Sequence, residues 1–246
     1  MLFVLAVLYT VYGAGMRMTA FEMTAMRDMR DMPGPLIPGV WSVAYATLVF
    51  LMWWVMMIAM MLPSVAPTVL LNAALLRHTG DADRVPAISA AFASGYLLTW
   101  AGFSLVATAM QWALEAAGLV SATMMTLIEK WPGALVLIAA GVFQFTPMKA
   151  ACLEHCRTPA KFLTEQRRTG TQGAFLMGAE HGTYCLGCCW FLMALLFVGG
   201  IMNLIWIAGI AIFVAVEKLT PFGDTISKIA GAGLILWGAL IFVNLV

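Results

Sequence analysis

The chain has 246 residues, of which 63% are hydrophobic and only 10% charged, with a net charge of +1. A soluble domain carries roughly a quarter charged residues, so this composition points to one polytopic membrane domain. The near-neutral balance, with no basic stretch interleaved with aromatics, excludes nucleic acid as a partner.

In chain order, Leu2 to Gly15 is apolar but short for a span. No positive residue precedes it, and it is expected to be a retained first helix rather than a cleaved signal. Residues 16–40 form a polar loop rich in methionine: Met16-x-Met18, then Met23, Met26, Met29 and Met32, with Arg27, Asp28, Arg30 and Asp31 between them. Two readings stand for this loop. Thioether sulfur selects Cu(I), and an amphipathic segment on the membrane surface would also dip its methionines.

The helical bundle occupies residues 41–246. Trp41 to Leu76 is one long apolar run holding Pro63 and Pro67, which should kink or break it near Leu62. Ahead of the prolines Met52, Met56 and Met60 recur at helical spacing, and Met57 pairs with Met61. Flexible packing accounts for that stripe better than a Cu(I) path. A charged loop with His78 leads to a third helix over 86–120. A fourth runs from Trp131 to about Met148 and on into Cys152, His155 and Cys156. The fifth is Phe175–Gly199, the sixth Leu204–Val216 after a turn at Gly199-Gly200 and Asn203, and the seventh follows Pro221. The expected fold is therefore all-α, a transmembrane bundle of about seven helices with the second broken by proline.

All five cysteines and two of the three histidines lie within two neighbouring segments, CLEHC at 152–156 and EHGTYCLGCCW at 180–190. On a helix His181, Cys185 and Cys188 share a stripe, with Cys189 beside it. Cys152 and Cys156 share a face, with His155 added one turn on. Imidazole and thiolate hold soft and borderline metals. An odd, clustered set suits a metal site better than a disulfide framework, and parallel Cβ vectors argue against a Cys152–Cys156 bridge. The expected ligands are Cys152, His155, Cys156, His181, Cys185, Cys188 and Cys189. Cu(I) is the expected ion, with zinc the alternative if both histidines bind. Lys149, one turn before Cys152, is expected to favour thiolate, and Glu180 to orient His181. Cys185-Leu186-Gly187-Cys188 has the spacing of a redox motif, so a membrane thiol-disulfide or quinone-linked oxidoreductase is a second reading. An accessory subunit of a larger membrane complex is a third.

Orientation follows from lysine and arginine. Arg77, Arg84, Lys149, Arg157, Lys161, Arg167, Arg168, Lys218 and Lys228 would face the cytoplasm, with Arg17, Arg27, Arg30 and Lys130 outside. That puts the methionine loop outside a bacterial inner membrane and the cysteines toward the cytoplasm. Cys188 and Cys189 would lie roughly 15 Å into the bilayer.

The stretches at 57–67 (MIAMMLPSVAP), 144–156 (QFTPMKAACLEHC) and 181–219 (HGTYCLGCCWFLMALLFVGGIMNLIW…VEKL) resemble a bacterial family of integral membrane proteins regarded as metal-binding. The resemblance runs over nearly the whole chain after residue 40. It implies a polytopic inner-membrane protein with a metal site at Cys152, Cys156, His181, Cys185, Cys188 and Cys189, and it implies no reaction.

Overall fold

The computed structural model describes residues 1–13, 18–29, 39–78 and 82–243. Its elements are α1 (Leu2–Tyr12), α2 (Ala20–Ala25), α3 (Val43–Leu76), α4 (Val85–Ala116), α5 (Lys130–Phe143), α6 (Pro147–Arg157), α7 (Pro159–Glu165), α8 (Gly170–Ala194), α9 (Leu196–Gly199), α10 (Leu204–Leu219) and α11 (Gly223–Phe242). The fold is all-helical, but the helices outnumber the seven expected, because polar segments read as loops form short helices of their own. Among the described residues four helical stretches are long and apolar enough to cross a membrane, Val43–Leu76, Ala82–Ala116, Gly170–Gly199 and Gly223–Phe242, and the bent pair Lys130–Phe143 and Pro147–Arg157 makes a fifth if taken as one span.

The proline break falls elsewhere than expected. α3 runs unbroken through Pro63 and Pro67. Each proline costs one helical hydrogen bond, but stopping the helix in an apolar setting would strand many more backbone groups. Pro63 instead lines an apolar groove with Phe3, Val7 and Ile207. The break comes in the expected fourth helix, where α5 and α6 meet at 66°. Pro147 forces the residue before it out of the α region. Thr146 is accordingly extended, with ψ 144°, and its hydroxyl accepts from the Lys149 N–H to cap α6.

The methionine loop contains a short helix. Thr19 and Glu22 form a capping box that starts α2. The hydrogen bonds from the Thr19 backbone and hydroxyl hold the Glu22 carboxyl below its ordinary value. Met23 is buried in the core rather than dipped into a membrane surface, and Thr24 accepts from the Leu204 N–H at 2.9 Å. Met29 is exposed, whereas Met16, Arg17, Arg30, Asp31 and Met32 lie outside the described residues. Met52, Met56, Met57, Met60 and Met61 are all buried in the core, as packing requires.

The expected fourth helix, α5 with α6, runs antiparallel to α8, with Phe143 against Trp190, Cys152 over Gly187 and His155 on Tyr184. α8 packs mainly on α4, while α5 packs on α11, and the cysteine-bearing α6 lies against α8. The α4–α8 contact is backbone on backbone. A methyl group added at Gly95 would overlap the Phe175 carbonyl, and one at Gly178 the Phe92 carbonyl. Small residues permit such close approach, and larger ones forbid it. Because Phe92 faces Gly178 and Thr99 faces Gly182, the two helices run parallel.

Candidate metal centre

α8 places His181, Cys185, Cys188 and Cys189 on its buried side, as their spacing predicts. The Cys188 and Cys189 thiols both donate to the Cys185 carbonyl, at 3.0 and 2.9 Å. α6 brings its thiols to this surface from the side. Cys156 Sγ lies 4.0 Å from Cys188 Sγ. Cys152 Sγ sits over Gly187, 2.7 Å from where a β-carbon would stand, so any larger residue there would push it away. All five cysteines are free thiols.

The histidines flank the sulfurs rather than joining them. His155 stacks on Tyr184, ring centroids 3.9 Å apart. His181 is buried among Phe92, Tyr96 and Phe162, and its Nδ1 has no hydrogen-bond partner among the described residues. Among the described residues, no group of three or more histidine, cysteine or acidic side chains closes into a chelating arrangement. Among the described residues, two helices bring the Cys156 and Cys188 sulfurs to 4.0 Å, and the Cys156 side chain also meets that of Cys185.

Two polar groups that the sequence reading left out face Cys185. Lys218 Nζ, from α10, donates to its sulfur at 2.8 Å, and the Tyr96 hydroxyl, from α4, lies 3.0 Å away. Lys149, expected to serve the thiols, instead forms a buried ion pair with Glu217 at 2.7 Å. Glu180 likewise does not orient His181; it pairs with Arg168 at 3.3 Å. A Glu217-Lys218 dipeptide inside an apolar run was the available signal, since ionisable residues in such runs need a partner. Nothing in the sequence marks Tyr96, whose role depends on how α4 and α8 cross.

Long apolar helices around a sulfur-rich interior define an all-helical protein with a cluster of buried and half-buried thiols. The chain belongs to the copper chaperone family PpoB2, whose model matches residues 50–241. That range takes in every cysteine and histidine of the centre, with Tyr96, Lys149, Glu217 and Lys218, and leaves α1 and α2 outside. The metal-related family that the sequence resembles is thus one concerned with copper. No curated protein and no solved structure matches the chain.

Proposed function

We propose that this is an integral membrane protein of the bacterial inner membrane that captures Cu(I) on thiols of α6 and α8 and passes it on. The observation that carries the proposal is the Cys156–Cys188 pair, 4.0 Å apart and supplied by two different helices. Taking about 2.3 Å for a sulfur–metal bond, two sulfurs sharing an ion stand roughly 3.8 to 4.6 Å apart as the angle opens from tetrahedral to linear. Cu(I) is satisfied by two soft sulfurs, whereas structural zinc asks for four ligands.

Cys152, Cys185, Cys189, His155 and His181 surround this pair as a reserve of further ligands. A relay needs such a reserve, because a cargo ion leaves one ligand set only as it meets the next. The bilayer and the metal are the partners this function requires.

The test is Cu(I) stoichiometry of the detergent-purified protein under reducing conditions. We expect about one bound Cu(I) per chain held against a moderate chelator, and its loss in the Cys156→Ser/Cys188→Ser double variant with helicity unchanged. Full retention of copper by that variant would sink the proposal. A stoichiometric disulfide with no metal would favour the oxidoreductase reading.

A further inference from the structure

Lys218 is the buried cation that the copper proposal leaves unexplained. It is 6% exposed, and among the described residues it forms no salt bridge to a carboxylate. Its neighbour Glu217 is taken by Lys149, so that pair is neutral in itself. What Lys218 does touch is a thiol of the centre, Cys185, at 2.8 Å. An unmatched charge in an apolar interior is costly, so the loaded centre beside it, with Cys185 a neutral thiol that accepts from the ammonium, is expected to carry the opposite sign.

We infer that Lys218 is a specificity-determining residue that makes the centre select a monovalent over a divalent metal ion. The inference rests on the Cu(I)-binding proposal above. Two thiolates around a monovalent ion carry one net negative charge. The Lys218 ammonium cancels it, and the loaded centre is neutral inside the helix bundle. The same two thiolates around a divalent ion are already neutral, and the ammonium then stands as an uncompensated buried charge beside a cation. Like charges in a low-dielectric interior repel strongly. The lysine therefore favours Cu(I) and Ag(I) and penalises Zn(II), independently of the softness of the donors. It acts through the field at the sulfurs and supplies no ligand, so it is a positioning residue.

The experiment compares Lys218→Met, of similar shape but neutral, with Lys218→Arg, which keeps the charge. Affinities for Cu(I), Ag(I) and Zn(II) are measured by chelator competition on the full-length protein in detergent. Lys218→Met is expected to lower Cu(I) and Ag(I) affinity together by roughly tenfold or more, the scale on which a nearby charge acts on an ionised group. Zn(II) affinity should stay level or rise, so that the monovalent preference falls, while Lys218→Arg keeps the wild-type preference. A merely structural lysine would weaken all three ions alike or none. If Lys218→Met does not fold, Lys218→Gln makes the same comparison.

The outcomes separate the two claims. Wild-type protein that binds Cu(I), with an unchanged Cu(I)-to-Zn(II) ratio in the neutral variant, overturns the role of Lys218 alone. Wild-type protein that binds no Cu(I) overturns the copper proposal and this inference with it.

Discussion

Lys149 and Lys218 show how little of a buried charge's role is written in its neighbours along the chain. Lys149 lies one helical turn from Cys152, yet its ammonium meets Glu217 of α10 at 2.7 Å. Lys218 is 33 positions from Cys185 and donates to its sulfur. The cysteines themselves were legible, because thiols at helical spacing with a histidine in each group are rare and chemically loaded. Their electrostatic partners were not, because they depend on which helices meet. The Lys149–Glu217 pair also ties α6 to α10, and so fixes the position of the two α6 thiols. Glu217→Gln should leave Lys149 as an uncompensated buried charge, at a cost of about 3 to 5 kcal/mol. The expected readout is a lowered thermal midpoint in detergent. Lys149→Met/Glu217→Met, which removes both charges, should recover most of it. If the single variant melts like wild type, the pair is not buried as described.

At the level of elements, proline was legible as a source of breaks but not of their place. Two prolines inside α3 are absorbed, and the single Pro147 turns the chain by 66° at the end of α5. The difference lies in what stands beside each. Thr146 supplies a cap for a new helix start, so a break there strands no donor at residue 149. The bend swings α6 across α8 and brings Cys156 to Cys188; a straight fourth helix would carry Cys152 and Cys156 past the sulfurs of α8. The pairing of α4 with α8 was unreadable for a related reason. The glycines that let α4 and α8 touch are individually ordinary in membrane-type helices, and the contact exists only where Gly95 and Gly178 fall in register. Gly178→Ala should therefore force the helices apart against the Phe92 carbonyl. Overpacking of this kind costs about 1 to 3 kcal/mol. Gly102→Ala on the same α4, where an added methyl meets nothing within 4 Å, is the control and should be neutral or slightly stabilising. Equal thermal midpoints for both variants would show that the α4–α8 contact is looser than drawn.

For the whole molecule, the parallel run of α4 and α8 has a consequence for sidedness. Helices that run parallel begin at the same end of the bundle, so the segments leading into them emerge together. One contains Asp83 and Arg84, the other Lys161, Arg167 and Arg168. α3 runs against α4, since Trp41 donates to Glu115 at its far end while Trp54 reaches the Leu97 carbonyl. Val43 and Ala116 therefore share the opposite end with Lys130, which opens α5 antiparallel to α11. Charge then decides which end faces the cytoplasm. Lys149 and Lys218 are buried and drop out of the count, which takes the nine residues of the richer side to seven, against Arg27 and Lys130 at the other end among the described residues. The excess keeps its direction, and positive residues favour the cytoplasmic side. We therefore expect Asp83→Cys and Lys161→Cys, both at exposed positions, to react with a membrane-impermeant maleimide in inverted vesicles and not in intact spheroplasts. Lys130→Cys, also exposed, should behave in the opposite way. The native thiols are buried or half-buried, and unsubstituted protein supplies the blank. Labelling of Asp83→Cys and Lys161→Cys from opposite faces would contradict the parallel packing of α4 and α8. Labelling of both from the outside would leave the packing intact and invert the molecule, so that copper would meet the α6 end of the bundle before crossing the membrane.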